Sequence, residues 1–179
     1  MHTGTQHDLA ARLHRLEAHD AARATLARYL ELCDVPQPEL DWNEMATLFT
    51  EDAVWEGLGS AYDGKFGRLE GRAALLQMLA GFLPPAAHFA RNVHLLSAGR
   101  LETRADTTTG RWVMQQVSTY ETGRTELILA RLHVDFAIDA APAGVRAVIT
   151  HFRTEKLSAT ELDPAQADRV TTTMNARRS

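Results

Sequence analysis

The sequence holds a single cysteine, Cys33, which excludes an intramolecular disulfide and any cysteine-rich zinc site. It holds no run of 18 apolar residues. The best stretch, Ala73 to Ala90, is broken by Gln77, the Pro84–Pro85 pair and His88, so no membrane-spanning helix is expected. Basic charge is not in surplus: 19 Lys and Arg stand against 23 Asp and Glu, a net charge of −4, which argues against nucleic acid as a partner. No basic segment followed by an apolar one opens the chain, so no secretory signal is expected and a cytoplasmic protein is. Glycine-rich phosphate loops, a serine elbow and a His-Glu-x-x-His run are also missing. No metal and no cofactor is called for by any local motif.

What is present is 179 residues, 45% of them hydrophobic, enough for one domain with its own core. Leu9, Leu13, Leu16, Ala22, Leu26, Leu30 and Cys33 recur every three or four places and predict a long helix with one apolar stripe. It should stop near Asp34, because Pro36 drives Val35 out of the helical region. A second helix is expected from about Pro38 to Phe49, a short strand over Asp52–Glu56, another around Lys65 to Leu69, and a third helix over Arg72–Phe82. From His88 the pattern becomes extended: His88–Leu101, Thr107–Tyr120, Thr125–Asp139 and Val145–Leu157. Ile128, Ala130, Leu132, Val134, Phe136 and Ile138 alternate with Leu129, Arg131, His133 and Asp135, the mark of a sheet with one buried face. Helices first and long strands afterwards predict an α+β domain over residues 8–157, its helices packed on one face of an antiparallel sheet. Residues 158–179 read as a polar tail with a short helix at most.

The candidate chemistry is scattered. Tyr29 lies beside the apolar stripe, so its ring should be buried with a hydroxyl that needs a partner. Asp34 sits at the wrong end of a helix dipole for a carboxylate. His88 enters a strand after the double proline, with Asn92 and His94 on the same face by a period of two. Each also has a plainer reading, as a core-edge tyrosine, a solvated turn aspartate and a hydrogen-bonded strand histidine. His133 and His151 are expected to face each other across a hairpin centred on Pro142, on a face shared with Arg131, Asp135, Arg153 and Glu155; the arginines argue against a metal there. Trp55 and Trp112 fit core positions or ligand platforms. Arg104, Asp106 and Asp135 match epoxide hydrolases in residue type, although Arg104–Thr107 falls in an expected turn.

Together, the helix bearing Tyr29 and Asp34, the segment Leu48–Trp55 (LFTEDAVW), His88–Asn92 (HFARN) and Gly110–Trp112 resemble the SnoaL-like branch of the nuclear-transport-factor-2-like superfamily, which includes bile acid 7α-dehydratases and scytalone dehydratases. The resemblance spans roughly residues 8 to 157. It implies a cone-shaped α+β barrel, three helices on a curved antiparallel sheet, with a pocket between them and a homo-oligomer, dimer or trimer, formed through the outer sheet face. It implies Tyr29, Asp34 and His88 as catalytic residues, with Trp55, Asn92, Trp112 and Gln115 around a small hydrophobic substrate. It departs from the pattern in having Trp55 where a second tyrosine is common, and Arg111 or Gln115 where bile acid dehydratase has an acidic residue.

Two readings compete. One is a cofactor-independent dehydratase or isomerase acting on a hydrophobic, polycyclic or aromatic carbonyl compound, with Asp34 orienting His88 and Tyr29 holding the substrate oxygen. The other is a non-catalytic binding or assembly module such as a dioxygenase small subunit, which predicts a filled pocket or an Asp34 that does not approach His88. Epoxide hydrolysis is a third, requiring Arg104, Asp106 and Asp135 to meet inside the pocket.

Overall fold

The computed structural model describes residues 3–37, 39–62, 67–141 and 144–163. Helix α1 runs Thr3–Leu32, α2 Trp42–Thr47 and α3 Arg72–Ala80; the strands are β1 Phe49–Leu58, β2 Arg68–Glu70, β3 Phe89–Leu96, β4 Arg100–Arg104, β5 Thr107–Tyr120, β6 Thr125–Ala141 and β7 Gly144–Leu162. They form one seven-stranded sheet in the order β2-β1-β7-β6-β5-β3, with β4 also on β5. Pairing is antiparallel except between β1 and β7, which run parallel, so the sheet is mixed rather than wholly antiparallel.

Helix α1 does not bury its stripe evenly. Ala18, Ala22, Leu26, Tyr29 and Leu30 are at most 6% exposed, whereas Leu9, Leu13 and Leu16 are more than half exposed. Only the later half reaches the concave face of the sheet, where Thr25 Oγ1 donates to the Ala147 carbonyl at 2.8 Å. Phe49, Met45, Leu75, Leu132, Val134, Phe136 and Ile149 complete the packed end of the core at 0–1% exposure. Inward side chains of this kind stabilise by about 1.5–3 kcal/mol each on burial.

Several expected boundaries move. Helix α2 starts at Trp42 because Asp41 caps it, its carboxylate accepting from the Asn43 and Glu44 amides; Pro38 lies outside the described residues. Phe49 ends the helical reading by pairing with Ile149 in the sheet. The single strand expected over His88–Leu101 is two, because Gly99 takes a positive φ of 66° and the chain turns. β7 continues to Leu162, where Thr125 meets it, so the polar segment from Ser158 is strand until that point. Residues 164–179 lie outside the described residues.

The hairpin register also differs. His133 faces Arg153, and His151 faces Asp135, for two reasons: Ala141 pairs with Gly144, so the hairpin is not centred on Pro142, and β7 carries one extra residue, Thr150, between its pairings with Phe136 and Asp135. That bulge flips the alternation, so His151 and Arg153 point outward while Phe152 and Thr154 point in. The outer face holds exposed Val93, Leu95, Val113 and Leu129 beside these charged groups.

Candidate functional site

Between α1, α3 and the concave face lies a cavity of about 600 Å³, so side chains do not fill it. Its walls are mostly apolar, with Leu79, Phe82, Met114, Ile128, Leu132 and Phe152 prominent. Volume and lining suit a ring-sized apolar ligand.

Asp34 gains its reason for standing at the end of α1 here. Val35 leaves the helix and bridges Asn92 in both directions, Val35 N to Asn92 O at 2.8 Å and Asn92 N to Val35 O at 2.9 Å. That clamp fixes Asp34 against the neighbouring residues of β3. Its Oδ1 accepts from the His94 amide at 3.0 Å and lies 2.7 Å from His94 Nδ1. The imidazole is 7% exposed and lines the cavity. With Nδ1 hydrogen-bonded to a carboxylate, Nε2 is the nitrogen left to act on a ligand.

The expected partner, His88, is not the one Asp34 takes. It precedes the bridge at Asn92 by four residues, ~13 Å of extended chain, and sits near the β5–β6 hairpin instead. An extra residue, Ala90, interrupts the β3–β5 pairing between Phe89 and Arg91, so a simple period of two does not carry from His88 to Asn92. His88 nonetheless lines the same cavity, edge-on to Phe82, Phe89 and Tyr120 at ring separations of 4.4–5.5 Å.

Tyr29 is 4% exposed and lines the cavity, its ring edge-on to Phe49 and Phe152, each 5.2 Å away. Burial, with the Cys33 thiol acting in the same direction and the Trp55 indole against it, pushes its phenol well above 10. It therefore stays protonated and remains a donor. The Cys33 thiol is itself pushed up to about 12, chiefly by burial.

Trp55 lines the cavity and stacks on Phe152 at 6.0 Å. Asn92 is 3% exposed and borders the cavity, but its side chain is heavily used. Its Oδ1 accepts from Gln116 at 2.9 Å and Ser118 at 2.8 Å, and its Nδ2 donates to the Cys33 carbonyl at 3.1 Å. Asn92 is thus the fastener that holds α1 to the sheet. Trp112 does not line the cavity. It is 4% exposed at the packed end, fitted against Gly99 and Gly110, where an added Cβ would lie 2.0 Å from its ring in each case. Gln115 is exposed on the outer face, and Gln116 takes the inward place. Three residues along a strand reverse the face, so Trp112 and Gln115 cannot share one.

The remaining candidate groups stay apart. Arg104 and Asp106 are exposed at the β4–β5 turn, while Asp135 is held on the outer face by Arg153 at 2.7 Å and Thr109 at 2.8 Å, so the epoxide hydrolase grouping does not assemble. Among the described residues no group of three or more His, Cys, Asp or Glu is placed to hold a metal ion. Nor, among them, is any helix long and apolar enough to cross a membrane.

Sequence reasoning missed four cavity groups. Tyr62 comes from the 3-10 turn Ser60–Tyr62, its hydroxyl 3.5 Å from Thr154 Oγ1, and supplies a second phenol edge-on to Trp55 at 6.2 Å. Tyr120, Arg124 and Lys156 also face the cavity, two of them from a hairpin that carries no motif.

A few helices laid on a curved sheet with a hollow between them define the α+β cone of the nuclear-transport-factor-2-like class. Within it, the chain belongs to the SnoaL-like domain family, whose model matches residues 14–142. Among solved structures it is similar to the hexachlorocyclohexane dehydrochlorinase LinA-type3 of Novosphingobium barchaimii LL02, at 19% identity over 86% of this chain and 95% of that one, with a TM-score of 0.66. A protein of Novosphingobium aromaticivorans assigned as a scytalone dehydratase matches at 16% identity, over 84% and 91% of the two chains, TM-score 0.66. The beta subunit assigned to an aromatic-ring-hydroxylating dioxygenase of the same organism matches at 16%, over 78% and 88%, TM-score 0.58. A comparison with curated proteins finds no match.

Proposed function

We propose that this protein is a cofactor-independent lyase or isomerase, most simply a dehydratase, acting on a hydrophobic ring compound that bears a carbonyl group. One observation carries the reading: a half-buried Asp34 carboxylate holds the buried His94 imidazole on the wall of an open apolar cavity.

In dehydration, His94 Nε2 takes a proton from the carbon next to the carbonyl, and the C–H electron pair passes into an enolate. Asp34 holds the ring in the tautomer that leaves Nε2 as base and stabilises the imidazolium that forms. Tyr29 donates to the oxygen where enolate charge develops, inside a cavity where such a contact is strong. The enolate then collapses, the carbon–oxygen bond to the β-hydroxyl breaks, and a double bond forms. The His94 imidazolium returns the proton it took to that hydroxyl, which leaves as water; His88, beside Tyr120 at the hairpin end of the cavity, is four residues of β5 away from this point. Returning the proton from His94 to a different carbon makes the same pair an isomerase. The LinA and scytalone dehydratase likenesses support elimination chemistry on this fold.

A binding module is the competing reading, favoured by the separation of Asp34 from His88 and by the dioxygenase beta-subunit likeness. It leaves the Asp34–His94 pair without a purpose. The exposed apolar residues of the outer sheet face support a homo-oligomer, which light scattering would measure directly.

The test is a panel of hydrophobic β-hydroxy ketones followed by NMR in deuterated water. Deuterium uptake next to the carbonyl, or loss of water, is expected with the wild-type protein and not with His94→Gln, while the melting temperature stays within a few degrees. Turnover that survives His94→Gln overturns the assignment of the base.

A further inference from the structure

The protein carries more acidic than basic residues, yet the wall of its cavity is biased the other way. The ionisable groups that line it are two imidazoles, His88 and His94, the cations Arg124 and Lys156, and the neutral Tyr29, Tyr62, Tyr120 and Cys33. Among the described residues no carboxylate lines it. Asp34 stands behind His94, and Glu126 stands behind Tyr120 and Arg124, which both bond to it.

The two cations differ in how they are used. Arg124 is bound to Glu126 and lies over the Tyr120 ring at 4.5 Å from its centre. Lys156 is half-buried on β7 and makes no hydrogen bond or ion pair among the described residues, reaching Glu126 only through its field. An ammonium that faces an apolar hollow without an anion beside it costs free energy unless a ligand supplies the charge. Tyr120, its phenol pushed up to about 12 first by burial and then by Glu126, stays protonated and donates its O–H to Glu126.

The hairpin rim and the dyad occupy different levels of the sheet. Tyr120 pairs with Phe89 and Gln116 with His94, four residues of β5 apart, whereas Lys156 on β7 pairs with Ala130 and Ala130 with Met114, so the dyad on β3 and Lys156 stand three strand spacings, ~14 Å, apart across the sheet. A ligand spanning them needs an apolar body about two fused rings long.

We infer that the cavity selects a ring compound carrying an acidic group, a carboxylate, at the end remote from the reacting carbonyl, with Lys156 as its anchor. This deepens the function proposed above and rests on that cavity being the substrate site. The carbonyl end meets His94 and Tyr29 while the acid end is held by Lys156, which fixes which carbon of the ring system is presented to the base.

The experiment uses the full chain and the neutral fluorescent probe N-phenyl-1-naphthylamine, displaced by either of two shape-matched ligands, 1-naphthylacetate and 1-naphthylacetamide. The acid is expected to displace the probe at roughly tenfold lower concentration than the amide, the worth of one charge-assisted hydrogen bond. Lys156→Gln is expected to bring the ratio close to one, Lys156→Arg to keep most of it, and His94→Gln to leave it unchanged, since the dyad binds the other end. Equal displacement by acid and amide in the wild-type protein, or a ratio that Lys156→Gln does not move, overturns the inference while leaving the dyad untouched. A probe that does not bind at all removes the apolar cavity as a ligand site, and both readings fall together.

Discussion

The sheet carries a histidine–carboxylate grouping on each face, and the two are chemically opposite. Inside, His94 meets one carboxylate, Asp34, with no guanidinium in contact with either. Outside, His151 lies 3.1 Å from Glu56, but Arg153 is 2.8 Å from its other ring nitrogen and also holds Asp135 at 2.7 Å. His133 is 3.9 Å from Asp135 and is still pulled below its ordinary value, by burial first and then by Arg153 and Arg111, which outweigh the carboxylate. A carboxylate already neutralised by arginine does not make an imidazole more basic. What separates the proposed catalytic pair from a structural network here is therefore which other charges reach the same atoms, a property that residue type alone does not disclose.

The largest effect should appear where that contrast is broken on one face at a time. Asp34→Asn removes the group that fixes the His94 tautomer, and turnover should drop by about 10²–10⁴-fold, in the range of general-base contributions. Asp135→Asn alters the outer network by an equally conservative change, and turnover should stay within about threefold, since no part of that network touches the cavity. Steady-state rates of the two variants on one substrate check this. Similar losses in both would mean that the faces are coupled through the sheet.

Next in size is Asn92→Ala, which tests how the inner pair is held in place. The change leaves the Cys33 carbonyl and the Gln116 and Ser118 donors without their buried partner, at a cost of about 2–4 kcal/mol. Chemical denaturation should show a lower midpoint with an unchanged slope. Gln116→Ser, by comparison, removes two bonds at the half-buried edge of this network, to Asn92 and Ser118, and should cost about 1–2 kcal/mol.

Gly57→Ala is a smaller, steric perturbation on the Trp55 side of the cavity. The new methyl carbon would lie 2.4 Å from the Tyr62 ring, so the phenol must shift away from Thr154. Overpacking of this kind costs about 1–3 kcal/mol, and thermal melting should register it. The probe affinity of the cavity should fall as well, because Tyr62 is part of its wall.

Much of this architecture can be read from residue patterns, and the misses have identifiable causes. The strands β5 to β7 follow their alternation, and the LFTEDAVW segment marks the fold. The cavity residues on α1 follow from Tyr29 falling beside the stripe. The histidine partner did not follow, because the Val35–Asn92 bridge sets Asp34 against His94 and not His88; two single-residue insertions, Ala90 in β3 and Thr150 in β7, also reverse which side chains point inward elsewhere. Neither has a glycine or proline to announce it. The exposed Leu9, Leu13 and Leu16 teach the same lesson for helices, since periodicity reports that an apolar face exists and not what it rests on. Gln115, in contrast, was open to correction from the sequence, since its distance from Trp112 already puts it on the opposite face.

The smallest effect expected is acid sensitivity of the outer face. His133 has a folded value below its ordinary one, so the unfolded chain binds its proton first as pH falls. Stability from this group is complete above about pH 6.5 and declines as pH drops from there toward the lowered folded value. Burial acts most strongly on Asp135 and favours its neutral form, but hydrogen bonds from Arg153 and Thr109 together outweigh it and hold the carboxyl below its ordinary range. Its contribution is intact above about pH 4 and is lost as pH falls through the depressed folded value. The two windows run in the same direction, so melting temperature should fall in two steps, one beginning below pH 6.5 and one below pH 4. Both groups are about a third exposed, and solvent screening limits each step to a fraction of a kcal/mol. His133→Asn should reduce the first step, which His19 shares, and Asp135→Asn the second, which Glu44 and Glu126 share. If instead the first step persists undiminished in His133→Asn and vanishes in His94→Gln, then the inner pair, not the arginine-laced outer face, sets the acid limit of the fold.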